Sequence, residues 1–283
     1  MASDGNPVSG FTLPIPIDSA DLQGVGVVGV GSLYAVEQGG ATIADGNVAA
    51  VTSIAMASGA KGIAVSRVGM DRYGRDIVEQ LRGRGVDVQA IQTDSDLVTP
   101  RWIQRGNTVR IEPYAAFDNI QWDADVEALA RSAEVIITDA CGRRHGQSRS
   151  SIDRMMIAAT TAIRIIDLTR RPPSDPPRLD REHVGQTMEL CDGFVVDSVA
   201  LRTLVPAAAD ALDGAKRLFE LRRCGSVTIV PTERDEGCVV TSRGIERTPR
   251  CRTDGTRVAL VIGLATVLGR PPHEVLARLS NAG

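Results

Sequence analysis

The sequence predicts an α/β protein built on a mostly parallel sheet, with a small β flap over one edge. Three observations carry that reading. From about residue 60 onward, short β-branched runs alternate with longer helical patterns, as happens when parallel strands are joined by crossover helices. Two stretches, 11–40 and 98–113, interrupt the alternation with extended, β-prone sequence. The length of 283 residues supports a sizeable core in a single domain spanning 1–283.

Strands are expected at 62–66, 135–138, 164–167, 193–196, 227–230 and 238–241, each a short run rich in Val, Ile or Phe. Helices are expected between them at 46–57, 73–84, 124–131, 151–161, 208–223 and 272–280. The flap takes residues 11–17 and the Val- and Gly-rich stretch 25–36, then the Trp102, Ile103, Val109 and Ile111 region, both as exposed strands outside the main sheet. Arg170-Arg171-Pro172-Pro173-Ser174-Asp175-Pro176-Pro177 is a loop after the strand that ends at Asp167, because proline removes the backbone donor and restricts its neighbour.

Composition narrows the function classes. Lys plus Arg is 32 against Asp plus Glu at 35, a formal charge of −3, so no basic nucleic-acid face is expected. All basic residues except Lys61 and Lys216 are arginine, which carries no functional weight by itself. The apolar run 258–268 is too short to span a membrane and the N-terminus lacks a signal-peptide pattern, so a cytoplasmic protein is expected. Cys141, Cys191, Cys224, Cys238 and Cys251 are scattered and odd in number, which reads as reduced, buried thiols. His145, His183 and His273 form no metal-ligand spacing.

Val68-Gly69-Met70-Asp71-Arg72-Tyr73-Gly74, continuing to Leu81-Arg82-Gly83-Arg84-Gly85-Val86-Asp87, resembles the ribokinase-like (PfkB) carbohydrate kinases, which show V-G-D-D-x-x-G and then L-x-x-x-G-V-D. Gly39-Gly40 and Asn47-Val48-Ala49 are similar to the family's sugar-side G-G-x-x-x-N-V-A, with three extra residues between the glycines and the asparagine. Asp167 and Arg171 match two positions of D-x-N-x-R, with Thr169 at the asparagine. The resemblance runs from about residue 11 to the end. It implies a three-layer α/β/α fold whose lid strands lie at about 19–40 and 98–113, a lid that pairs two copies in many relatives, and ligands at the carboxyl ends of the strands. It also implies that Asp18 ends the first strand and bonds sugar hydroxyls, with Gly39, Gly40, Asn47, Asp167 and Arg171 completing the substrate side.

The same resemblance exposes what is missing. Phosphoryl transfer needs a positioned acceptor, neutralised phosphates and a group that takes the hydroxyl proton. The family supplies the last two with D-T-x-G-A-G-D, whose glycines bring backbone N–H groups to phosphate and whose final aspartate is the base. The aligned stretch here is Arg252-Thr253-Asp254-Gly255-Thr256-Arg257-Val258, and Gly263 sets the register. Val258 takes the base position and Arg257 the second glycine, leaving Asp254 as a weak substitute base. The family's N-x-x-E reads Asp197-Ser198-Val199-Ala200, without its carboxylate. The T-x-G-x-x-G nucleotide-edge loop keeps only Thr232 and Gly237. The chain also stops at Asn281-Ala282-Gly283, where relatives continue with helical sequence beside the adenine pocket. Gly255, Thr256, Arg257, Asp197, Thr232 and Gly237 are thus the anion or nucleotide side, in decayed form.

Each of these residues has a plainer reading. Gly39-Gly40 is either a turn or a ligand contact. Asn47 and Asp45 are candidate helix caps, with sugar contact favoured for Asn47. Asp18 is either a turn residue or a ligand contact. Arg143-Arg144-His145 reads as solvated surface before anion site, and Arg257 as an ion pair with Asp254 before an anion anchor. Trp102 and Tyr114 read as lid and dimer-contact residues. The sequence therefore predicts a pseudokinase that binds a sugar-like or anionic metabolite, with no metal and no resident cofactor. The alternatives are an active sugar or nucleoside kinase that uses ATP and Mg with a displaced base, and a structural or regulatory subunit without a small ligand.

Overall fold

A computed structural model describes residues 15–38, 41–105, 108–110, 115–141, 146–169, 181–222, 224–232, 235–250 and 253–279. Its main sheet has nine strands. The parallel ones are β1 (Gly26–Val30), β4 (Lys61–Gly69), β5 (Ile91–Asp94), β8 (Val135–Asp139), β9 (Ile163–Asp167), β10 (Gly193–Val196) and β11 (Ser226–Ile229). An antiparallel hairpin, β12 (Gly237–Thr241) and β13 (Gly244–Thr248), closes one end, giving the order β13-β12-β11-β10-β9-β8-β1-β4-β5. A second sheet of β2 (Tyr34–Gln38), β3 (Ala41–Asp45), β6 (Arg101–Arg105) and β7 (Thr108–Arg110) forms the lid, in the order β3-β2-β6-β7.

Helices cover both faces of the main sheet. One layer holds α1 (Asn47–Ala57), α2 (Arg72–Gly83), α8 (Gly255–Val267) and α9 (Pro272–Leu279). The other holds α3 (Ala124–Ser132), α4 (Gly146–Ala158), α5 (Arg181–Met188), α6 (Ser198–Leu204) and α7 (Ala211–Arg222). Strands buried on both sides need apolar side chains at successive positions, and β1, β8 and β10 are buried along their whole length. The parallel α/β architecture expected from the alternating pattern is the one observed.

The expected flap divides. Its Val- and Gly-rich stretch supplies β1, in the centre of the main sheet, and only then the lid strand β2. Glycine makes this central position workable: a β-carbon on Gly29 would lie 3.3 Å from the Val48 Cα, so α1 packs almost directly on β1. Ile15 and Ile17 form no strand and pack into the core against α1, α8 and α9. The elements α5, α6, α8, β5 and β13 add to those expected.

Two side chains tie the lid to α2. Gln80 accepts the Ala44 N–H at 3.0 Å and donates to the Thr42 carbonyl at 2.7 Å, holding β3. Tyr73 donates its hydroxyl to Glu37 on β2, while Arg72 and Arg101 stack over its ring at 4.5 and 5.1 Å. Within the lid, the Trp102 ring lies 5.5 Å from that of Tyr34, tilted by 31°. Tyr114 lies outside the described residues.

Candidate functional site

In open parallel sheets, ligands sit beyond the carboxyl ends of the strands where the strand order reverses. Here that point is the seam between β1 and β8. The chain runs outward from β1 to β4 and β5, then returns to add β8 on the other side of β1. Ser32, just past β1, meets Asp139, the last residue of β8. Its hydroxyl donates to one carboxylate oxygen and its N–H to the other, the latter at 3.4 Å. Both residues are buried.

The start of α1 enters the same corner. Gly46 turns into the helix with φ 107°, and a β-carbon there would come within 2.5 Å of the Ser32 carbonyl oxygen, so the position requires glycine. The turn aims the first N–H groups of α1 at Ser32. The N–H of Asn47 reaches the Ser32 hydroxyl and that of Val48 the Ser32 carbonyl, both at 3.1 Å. Asp45 accepts the adjacent Gly46 N–H at 2.6 Å and does not cap the helix.

Asn47 is fully buried, and its side-chain amide donates to the carbonyls of Val30 and Ile137 at 3.3 and 3.2 Å. Its nitrogen is spent on joining β1 to β8. Its Oδ1 finds no donor among the described residues, and a buried water or a ligand hydroxyl would satisfy such an acceptor.

Asp139 and Asp167 are register partners on β8 and β9, so their side chains leave adjacent strand ends on the same face, with Cα atoms about 4.8 Å apart. Both are fully buried. One oxygen of Asp167 accepts the Thr169 N–H and hydroxyl at 2.9 and 2.6 Å, and the other accepts the Thr256 hydroxyl at 3.1 Å. Arg171, Gly39, Gly40 and the triplet Arg143, Arg144 and His145 lie outside the described residues.

The first turn of α8 is where an anion would be held, since a helix N-terminus offers unpaired N–H groups and a favourable dipole. Here the chain supplies a cap of its own. Asp254 caps the helix by accepting the Arg257 N–H at 3.0 Å. A β-carbon on Gly255 would lie 1.9 Å from the Thr169 hydroxyl oxygen and 2.8 Å from an Asp167 carboxylate oxygen. Val258 has no exposed surface and packs in the same core cluster as Ile137, Ile165 and Val195. At the start of α6, Asp197 likewise caps its own helix, accepting from Val199 and Ala200 at 3.0 and 2.8 Å.

Asp197, Thr232 and Gly237 line one cavity of about 310 Å³ between α7 and the β11–β13 strands. Leu212, Ile229 and Val230 form its apolar wall, and Asp210, Asp235 and Glu236 are on its lining too. Thr232 closes on Asp235, whose N–H it accepts at 2.9 Å, and a β-carbon on Gly237 would meet the Thr248 hydroxyl oxygen at 2.5 Å. Carboxylates stand at the starts of α6 and α8 and along the cavity, which Arg247 also lines, paired with Glu236 at 3.1 Å.

Asp18 is not part of this site. It caps the 3₁₀ turn Ser19–Leu22, which precedes β1, and accepts the Ala20 N–H at 2.9 Å. A five-residue strand spans roughly 17 Å, so Asp18 stands at the opposite edge of the sheet from Ser32. The reason is the reassignment of the first strand: it ends at Val30, and Gly31 and Ser32 follow it in place of an aspartate. Ser32 carries no sequence signal and joins the site only through the fold, whereas Asp139 lies where the parallel-strand pattern puts a ligand loop.

No family model matches the sequence, and no curated protein matches it. Solved structures do match. Aminoimidazole riboside kinase from Salmonella enterica, complexed with aminoimidazole riboside and an ATP analog, superposes with a TM-score of 0.70 at 20% identity, over 91% of this chain and 90% of that one. A PfkB protein from Polaromonas sp. JS666 gives 0.72 at 16% identity, over 92% and 93%. Halothermothrix orenii fructokinase gives 0.72 at 18% identity, over 91% and 97%. These likenesses establish the fold, the three-layer arrangement of the ribokinase-like kinases with its β lid.

Proposed function

We propose that this chain is a ribokinase-like pseudokinase that holds a small sugar-like metabolite at the β1–β8 seam without transferring phosphate to it. The observation that carries the reading is Val258, a side chain with no proton-accepting group, fully buried where the kinase resemblance puts the catalytic base. A general base contributes ~10²–10⁴ in rate, or roughly 3–5 kcal/mol of barrier. The starts of α8 and α6 support the same reading, because each is capped by a carboxylate of the chain itself, a negative charge where a phosphate would be bound. Asp254 is a poor substitute base, since it lies a turn before the base position and one of its oxygens caps α8 by accepting the Arg257 N–H.

On this reading Ser32, Asp139 and Asp167 form the floor of the ligand site and Asn47 offers Oδ1, and we assign Gly39, Gly40 and Arg171 to the substrate side from the sequence resemblance alone. The lid sheet is the surface through which two copies pair. No described helix is long and apolar enough to cross a membrane, and we assign the protein to the cytoplasm.

The test is ATP consumption across a panel of sugars and nucleosides, with thermal shift on the same panel. The expected result is no turnover together with a stabilising ligand. A ligand at about 100 times its dissociation constant adds roughly 2.7 kcal/mol. Turnover with any substrate at ordinary enzyme rates, above about 1 s⁻¹, would overturn the reading. Stabilisation by no member of the panel would favour a structural subunit. Val258→Asp buries an unpaired carboxylate in the core and is expected to lower stability by several kcal/mol without creating activity.

A further inference from the structure

We propose that the groove between α2 and the ends of β4 and β5 binds a small amphiphilic anion, a carboxylate or phosphate head on a short unbranched apolar tail. The groove encloses about 340 Å³ and is lined by Val68, Met70, Arg75, Val78, Arg82 and Thr93, with Glu79 between the two arginines. That volume lies within the range of small-molecule pockets. None of these residues belongs to the seam site.

The rim has an unusual apolar edge. Met70 is 71% exposed, the most exposed of the large hydrophobic side chains described. It stands where the V-G-D-D pattern has an aspartate, so the groove has lost a carboxylate and gained an apolar contact at one position. Val78, half-buried, offers further apolar surface for a tail, and the buried Val68 backs the lining.

The charge on the rim is positive and open. Elsewhere acid and base four residues apart close into ion pairs, Glu127 with Arg131 at 2.6 Å on α3 and Asp213 with Arg217 at 2.9 Å on α7. On α2, Arg75, Glu79 and Arg82 share one face at the same kind of spacing, yet no ion pair forms among them. Two guanidinium groups and one carboxylate leave the groove net positive. Arg75 and Arg82 are seven residues apart, about 10 Å along the helix, so both long side chains can converge on one head group. Guanidinium binds carboxylate and phosphate through paired N–H donors, which suits it to such a head.

The experiment uses the full chain and four probes of equal tail length: nonanoate, octyl phosphate, octylamine and 1-octanol. Titration calorimetry should give one saturable site, with a dissociation constant near or below about 1 mM, for at least one of the two anions. Which anion binds more tightly identifies the head group. The alcohol should bind at least fivefold more weakly and the amine not at all. Arg75→Gln and Arg82→Gln should each weaken anion binding about tenfold, and Met70→Asp by at least as much. Arg131→Gln, on a distant exposed helix, should change nothing. All three groove residues are solvent-facing, so the variants are expected to fold, and circular dichroism checks this. Absence of saturable anion binding, equal binding of the amine, or binding insensitive to all three groove variants would overturn the proposal.

Discussion

The hydroxyl oxygen of Thr169 stands 1.9 Å from the point where a β-carbon on Gly255 would be. The end of β9 and the start of α8 therefore touch through a threonine side chain and bare backbone. Gly255→Ala should destabilise the protein by about 1–3 kcal/mol, the usual cost of overpacking a closed contact. The same change in a Thr169→Ala background should cost less, though not nothing, because an Asp167 oxygen remains at 2.8 Å. Urea unfolding of the four proteins measures this coupling; strictly additive effects would mean that α8 moves away without resistance.

Asp71 should give the stability curve a characteristic pH dependence. Burial alone would raise its carboxyl pKa, but hydrogen bonds from the Gly74 and Thr99 N–H groups outweigh that and hold it below the ordinary value. A group whose pKa is depressed on folding stabilises the fold above its unfolded pKa, about 3.9, and loses that contribution as pH falls through the folded value. Wild type should therefore exceed Asp71→Asn in urea midpoint from pH 7 to pH 5, about neutral to mildly acidic, and the gap should close below about pH 4. A gap that persists undiminished in acid would show that the charge plays no part.

Tyr73 should govern how tightly the lid is held. Its hydroxyl reaches Glu37 on the lid, and Arg101 of the lid covers its ring. Tyr73→Phe keeps the ring and removes the hydrogen bond, a loss of about 1 kcal/mol. Amide exchange in β2 and β6 should quicken, while β8 and β9 keep their protection. Unchanged exchange in the lid strands would assign the anchoring to Gln80 alone.

The four thiols among the described residues should be silent in the native protein. Burial pushes Cys224 and Cys238 up to about 11 each, and Cys141 and Cys191 are buried as well. The thiolate is the reactive form, and at pH 8 a group with a pKa near 11 is ionised in about one molecule in a thousand. A thiol reagent should modify these four only as fast as the chain unfolds. Rapid labelling of either Cys224 or Cys238 at that pH would contradict their placement in the core.

What the sequence disclosed follows from how visibly burial shapes it. β8, β9, β10 and β11 stand out because strands packed between helix layers are rich in Val, Ile and Phe. β1 is equally buried, but close packing of α1 demands glycine among its valines, and that mixture reads as flap. Misplacing β1 also misplaced its end, which is why Asp18 was expected in a site that lies across the sheet from it. α8 is apolar on every side because α1, α9 and the sheet enclose it, so it shows no 3.6-residue stripe to mark its limits. Val258 and Asp254 were legible through motif spacing, which is a local property. Ser32 was not, because its meaning depends on Asp139, which lies far away in the chain.

The seam between β1 and β8 also bears on synthesis. Once Lys61–Gly69 has followed it from the ribosome, Gly26–Val30 can pair on one side, but its other edge must wait until Val135–Asp139 has been made. During that interval a wholly apolar strand shows an unpaired edge to its surroundings, the condition that invites strand-to-strand misassociation. Nascent chains truncated before residue 135 should therefore depend on chaperones far more than chains released after it.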